Sequence, residues 1–273
     1  MDKTILKWFE ILGLPEEWRP TVENAARSFD FFKLDGLEKP YNALAESENK
    51  LDGLLYALAK CQSFYDNGRA LGIDENILID TMQEVRRHAA NYHRNSNGEK
   101  IGIYQIKWAG TVLSGRLYCL GRLEFEMKKT SKPWSGHGVE TGDPVMGLHI
   151  PRTGGPMTDA EVSRSFKLAE DFFKEYYPNF DYKCYTCNSW LLDPTLKQLL
   201  PPTSNIVKFQ NRFDITETAE STSGLSIVFG AGTSYENVLS KTPETSLQRA
   251  IQDHIKNGRK LYSGFGFAEK KQG

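Results

Sequence analysis

The chain has 273 residues, and 34 Lys+Arg against 35 Asp+Glu leave a formal net charge of −1. That length exceeds a disulfide-held miniprotein, and charges that nearly cancel exclude a nucleic-acid binder working by bulk electrostatics. A hydrophobic fraction of 39% with 12% aromatics supplies a packed core, and no window reaches the roughly 18 uncharged apolar residues of a membrane span.

Lys7 and Glu10 fall inside what would be the apolar region of an export signal, so the expected location is the cytoplasm, where thiols stay reduced. Of the four cysteines only Cys184 and Cys187 form a Cys-x-x-Cys pair. Without a second pair or a histidine at finger spacing, they read as half-buried strand thiols, and no metal site is expected. His88 and His93, five apart, do not share one helical face well.

Residues 1–98 read as helices. Trp8, Phe9 and Leu12, then Phe29, Phe31 and Phe32, suggest two helices separated by breaks at Pro15 and Pro20. Leu51, Leu54, Leu55 and Leu58 recur at helical spacing, and Ile77, Thr81, Val85 and His88 repeat it after Asp74, a residue suited to an N-cap.

From residue 99 to 273 strands mix with shorter helices. Leu123, Phe125 and Met127 alternate with Arg122, Glu124 and Glu126, the period-2 pattern of a strand. Thr130 to Pro156 holds 4 prolines and 6 glycines in 27 residues, which predicts loops around one short strand, Val145 to Ile150. Thr158 and Glu161 form a capping box before an amphipathic helix carrying Val162, Phe166, Ala169 and Phe173 and ending before Pro178. Further strands are expected at Tyr182–Cys187, Phe213–Ala219, Leu225–Phe229 and Leu261–Ala268. Short helices are expected at Asp193–Leu200 and after Ser204, and a longer one at Thr245–Asn257 stopping at Gly258. The fold class is therefore α+β, a mixed sheet flanked by helices behind an all-helical N-terminal domain.

Three clusters have the residue types for chemistry. Gly147 to Thr158 runs from a strand through a glycine turn to a helix N-terminus, either an anion site or a plain capped turn, since Pro156 offers no N–H and Asp159 and Glu161 already serve the helix end. His149 interrupts an apolar strand and is either a hydrogen-bonded structural residue or a general base. Glu124 and Glu126 share one strand face, which is either solvated or lines a cleft. Asn188-Ser-Trp-Leu-Leu-Asp193 carries a strand into a helix with polar side chains at the junction, but Ser189 lacks the Gly-x-Ser-x-Gly elbow of a serine hydrolase.

Taken in order, Leu120-Gly-Arg-Leu-Glu-Phe-Glu126, Leu148-His-Ile-Pro151 with Gly154-Gly155, Ser165 through Phe172-Phe173, Cys187-Asn-Ser-Trp-Leu-Leu-Asp-Pro194, Leu199-Leu-Pro201, Ser204-Asn-Ile206 and Phe209 to Phe213 resemble bacterial acyltransferase-domain proteins. Those proteins pair a helical N-acyltransferase N-terminal domain, here 1–98, with a GNAT-like C-terminal domain, here 99–273. The resemblance implies an acyl-CoA-dependent transfer to a small-molecule amine by direct attack on the thioester, with coenzyme A or acyl-CoA as co-substrate, no metal, and no nucleic-acid or membrane partner. On this mapping His149, Glu126 and Glu124 supply the base. A backbone N–H of the strand ending at Ile150 polarises the thioester, Arg152, Thr153, Gly154 and Gly155 cradle the pyrophosphate, and Asn188 with Ser189 lines the cofactor arm. Two features depart from the general GNAT pattern. The Gln/Arg-x-x-Gly-x-Gly/Ala loop is absent, and no tyrosine stands between Asn188 and Phe213. These departures keep two alternatives in view: an acyl-carrier-protein donor, and a non-catalytic protein that binds acyl-CoA or another small ligand as a sensor or interaction module.

Overall fold

The structure, a computed structural model, describes residues 2–152 and 154–270. It divides into two compact units, Met1–Cys119 and Leu120–Gly273.

The first unit is helical: α1 (Asp2–Ile11), α2 (Arg19–Ser28), α3 (Phe31–Asp35), α4 (Pro40–Glu46), α5 (Lys50–Ala70), α6 (Glu75–Asn95) and α7 (Ile106–Thr111). Pro20, expected as a break, stands in the first turn of α2, where a missing N–H removes no helical bond. Asn49 and Asp74 cap α5 and α6, each side chain accepting the N–H two residues on. Leu54, Leu55, Leu58, Cys61 and Phe64 form the buried face of α5, and Leu78, Met82, Val85 and Ala89 that of α6. The two helices close on each other at Gly68, where a Cβ would stand 2.4 Å from Leu78.

Inside this unit Glu84 of α6 is buried and charged. It accepts from Trp108 Nε1 of α7 at 2.6 Å and His88 Nε2 at 3.1 Å, and it pairs with Arg87. Burial alone would push the carboxyl up, but the His88 hydrogen bond, the Arg87 charge and the Trp108 N–H together hold it down at about 2. A carboxyl depressed on folding contributes stability that is fully present above its unfolded value near 4.5 and is lost as pH falls toward 2. Glu84→Gln should therefore destabilise the helical unit at pH 7, on the order of a few kcal/mol, and much less at pH 3. Urea unfolding of the wild type and variant at both pH values measures the difference, and equal losses would refute the charge-based account.

The second unit is built on a mixed sheet. Its strands are β1 (Leu117–Leu120), which crosses the unit boundary, β2 (Leu123–Lys129), β3 (Pro144–His149), β4 (Cys184–Ser189), β5 (Asp214–Glu220) and β6 (Tyr262–Glu269), in the order β1-β2-β3-β4-β6-β5. The helices are α8 (Asp159–Tyr176), α9 (Leu196–Leu199), α10 (Asn205–Gln210), α11 (Ser223–Phe229) and α12 (Ser246–Lys256). Strands β3 and β4 run parallel, while β2–β3, β4–β6 and β5–β6 are antiparallel. Alternation along the strands gives the sheet two faces. Phe125 and Tyr185 point to one, where both rings meet Phe166 of α8 edge-on. Val145, Cys184 and Phe267 point to the other, under Trp134 and Val139 of the loop between β2 and β3. Trp134 stacks on Phe267 at 5.1 Å and donates to Asp214 at 2.8 Å, and His137 stacks on Trp134 at 3.8 Å.

Two expectations are corrected. Leu225–Phe229 is the helix α11, not a strand: Leu225, Val228 and Phe229 share one helical face that packs with Val238, Ile251 and Leu261. Asp193–Leu200 is not one helix. The Asp193 carboxylate accepts from Thr195 N, Thr195 Oγ1 and Tyr262 N, so the chain turns around it and α9 starts only at Leu196. Cys184 and Cys187, three apart on β4, face opposite sides and do not converge on one ligand. Burial pushes their thiols up to about 11 and about 12.

Candidate functional site

The chain leaves the sheet at the end of β3, passes through 150–158, forms α8 and returns as β4, so the C-terminal ends of the parallel pair lie side by side. Their register runs Met146–Tyr185, Gly147–Thr186 and Leu148–Cys187 and goes no further among the described residues. Past that point His149 and Ile150 on one strand, and Asn188 and Ser189 on the other, belong to no common ladder. Each strand keeps its other pairing there, since His149 still pairs Glu124 and Asn188 pairs Phe265.

On the face away from α8, His149 Nε2 lies 3.0 Å from Glu126 Oε2, with the carboxylate side chain 13% exposed and the imidazole 31%. Glu124, only 2% exposed, stands directly across from His149 on the same face. The solvated reading of these glutamates is therefore corrected: Glu124 is buried and Glu126 nearly so. Two carboxylates and one imidazole on one sheet face are the residue types of a proton-handling group. Gly147 lies across from Glu126, and a Cβ there would sit 2.7 Å from Lys128 Cδ and 3.4 Å from Glu126 Oε2, so these two side chains close over the glycine.

The loop after β3 is held from below. Arg122 Nε donates to Gly155 O at 3.0 Å, and Arg152 Nη2 reaches Ile227 O at 3.3 Å. Gly154 and Gly155 take φ of +115° and +81°, a backbone suited to glycine. Thr153 lies outside the described residues. Thr158 caps α8 by accepting from Glu161 N at 3.2 Å, and Arg212 bonds the Asp159 carboxylate and, at 2.7 Å, Ser163 Oγ. The β1–β2 turn is keyed to the same helix. Gly121 has φ +71°, a Cβ on it would stand 2.7 Å from Ser165 Oγ, and that hydroxyl accepts Arg122 N at 2.8 Å. Ile150 is half-buried just beyond β3, Asn188 is exposed, and Ser189 Oγ accepts Leu191 N at 3.1 Å. Sequence reasoning passed over Thr186, whose only signal was a hydroxyl between tyrosine and cysteine in an apolar strand. It also passed over Arg122 and Ser165, whose roles depend on contacts 33 and 43 residues away.

The model of the GNAT-like C-terminal domain matches residues 117–268, more than half the chain, and the chain belongs to that family. None of the curated proteins matches. Among solved structures the chain is similar to an acyltransferase in complex with decanoyl-CoA, at 21% identity and TM-score 0.75, covering 96% of this chain and 86% of that one. It is also similar to an acyltransferase in complex with decanoyl-CoA and teicoplanin (22%, TM-score 0.73, 96% and 86%) and to an acyltransferase mutant in complex with octanoyl-CoA (21%, TM-score 0.76, 98% and 88%). At such identities the likeness is one of fold, and it extends over the helical unit as well as the sheet. Among the described residues, no helix is long and apolar enough to cross a membrane, and no group of three or more His, Cys, Asp and Glu is placed to hold a metal.

Ser165→Ala removes the hydroxyl that ties the β1–β2 turn to α8 and should destabilise the second unit by about 1–3 kcal/mol. A fall in Tm of several degrees by calorimetry is the expected reading, and an unchanged Tm would show that the turn holds without it.

Proposed function

We propose that the chain is an acyl-CoA-dependent N-acyltransferase that moves an acyl group from a thioester to an amine. The observation that carries this reading is the Glu126–His149 pair, on the sheet face away from α8 and beside the ends of β3 and β4, where their register stops and the gap for a ligand is proposed. An acyl-CoA thioester entering that gap meets the backbone of β3, whose N–H groups near Ile150 can polarise its carbonyl oxygen. The amine approaches from the Glu126 side and its lone pair forms the new C–N bond. Its departing proton passes to the Glu126–His149 pair, with Glu124 opposing the imidazole charge, and the C–S bonding pair leaves on sulfur. The same proton then neutralises the thiolate, so the pair is returned to its starting state.

Arg152, Gly154, Gly155 and the start of α8 are the proposed pyrophosphate cradle, with Thr153 in the same stretch and Asn188 and Ser189 along the pantetheine arm. The loop also supports a second reading, ligand binding without transfer. Pro156 brings no N–H, so this cradle has fewer backbone donors than a glycine loop usually offers. Because one of the similar acyltransferases was crystallised with decanoyl-CoA and teicoplanin, long-chain acyl-CoAs and glycopeptide amines are the first donor and acceptor to try.

A thermal-shift titration with CoA, acetyl-CoA, octanoyl-CoA and decanoyl-CoA should give a saturable rise. Ligand at about 100 times Kd adds about 2.7 kcal/mol, several degrees for a domain this size. No shift with any of the four would sink acyl-CoA as the ligand and favour a carrier-protein donor. His149→Ala and Glu126→Gln should each lower kcat about 100-fold or more while keeping the acyl-CoA shift. Turnover undiminished in both would remove the pair from the chemistry, and binding without turnover in the wild type would favour the sensor.

A further inference from the structure

The loop between β3 and α8 is short of backbone donors, because Pro156 has no N–H and the helix opens with the carboxylates Asp159 and Glu161. A phosphate bound there needs a cation. Arg152, the cation within the loop, reaches Ile227 O of α11 at 3.3 Å. A second cation comes from outside the loop. Arg122, in the β1–β2 turn, is fixed at both ends: its backbone N donates to Ser165 Oγ of α8 at 2.8 Å, and its Nε donates to Gly155 O at 3.0 Å. The side chain lies along the glycine pair, with Cδ 3.6 Å and Nη1 3.8 Å from where a Gly154 Cβ would stand. The carboxylates of the first helical turn are already compensated, Asp159 by Arg212 and Glu161 by Arg164 at 3.0 Å.

We infer that Arg122 binds the phosphate that ends the pantetheine arm of the donor, so that the charge of the cradle comes from the β1–β2 turn and not from the loop's own backbone. This inference rests on the reading of Gly154 and Gly155 as part of the cradle. A guanidinium is always charged, and its planar fork of N–H donors matches the spacing of phosphate oxygens. Held through its backbone and through Nε, it has less rotamer freedom to lose on binding than an arginine on open surface. The Nε bond also keeps the negative end of the Gly155 carbonyl on the guanidinium, where it opposes an arriving anion less. The chemistry recognised is a phosphate monoester or diester on pantetheine, present in acyl-CoA and in the arm of an acyl-carrier protein, and absent from bare pantetheine.

The test uses the full chain and three decanoyl thioesters, those of CoA, 4′-phosphopantetheine and pantetheine, with Kd measured by calorimetric titration. The wild type should bind decanoyl-CoA about 10- to 100-fold more tightly than decanoyl-pantetheine, and added salt should narrow that margin. Arg122→Gln, which keeps a donor for Gly155 O but no charge, should lose most of the margin while binding decanoyl-pantetheine within about threefold of the wild type. Arg122→Lys, a point charge without the fork, should keep part of it. Dependence on Arg122 shared by decanoyl-CoA and decanoyl-phosphopantetheine supports the role and places the inner phosphate on the guanidinium, as a carrier-borne arm would present it. Dependence confined to decanoyl-CoA supports it for the nucleotide's outer phosphate. An Arg122→Gln protein that keeps the margin overturns the role. So does one weakened equally on all three thioesters, or matched in its losses by Arg122→Lys, which would mark Arg122 as a support of the loop. A wild type that binds none of the three would instead sink the acyl-thioester reading of the site, and this role with it.

Discussion

A parallel strand pair cannot be joined by a tight turn, and that constraint organises the second unit. Between β3 and β4 the chain has to leave the sheet and return in the same direction, and α8 is the return path. Phe166 of that helix lies against Phe125 and Tyr185, so one face of the sheet is taken up by the crossover. The opposite face is left for Trp134 at one end and for Glu126 and His149 at the other. The loop at the exit from β3 and the end of the β3–β4 register, where the ligand gap is proposed, both follow from the same crossover, which is where ligands of open α/β sheets are generally found.

The polar residues near that gap go against what packing alone would select. Glu124 is buried, Glu126 nearly so, and Thr186 carries an unpartnered hydroxyl between Tyr185 and Cys187 of β4. Elsewhere in the unit, Asp193 accepts three bonds, and the Gln210 amide donates to the carbonyls of Leu191 and Asp193. Polar side chains whose bonding is complete hold turns in place. The unpartnered hydroxyl of Thr186 lies on the same sheet face as Glu126 and His149.

Elements whose signals are local were legible in the sequence. Thr158 caps α8, Thr245 and Gln248 complete a reciprocal capping box on α12, and the alternation from Leu123 marks β2. Misreadings came where distant partners decide. Leu225, Ile227, Val228 and Phe229 look like a buried strand, and only the surrounding Val238, Ile251 and Leu261 select the helix. Asp193 looked like a helix start because its third bond, to Tyr262 N, comes from 69 residues away. For the site, spacing placed Glu124 and Glu126 on one face and His149 on a strand end, but the register that sets the imidazole against Glu126 is a property of pairing, not of spacing.

The two thiols of β4 give the sheet a built-in report on its own opening. Cys184 lies beneath the Trp134 layer and Cys187 on the side of α8, both almost fully buried and both weakened as nucleophiles because burial disfavours the thiolate. A thiol reagent therefore waits for one layer or the other to lift. Labelling at Cys184 clocks the loop from Thr130 to Asp143, and labelling at Cys187 clocks the crossover helix. One strand thus reads out the two sides of the sheet as separate motions.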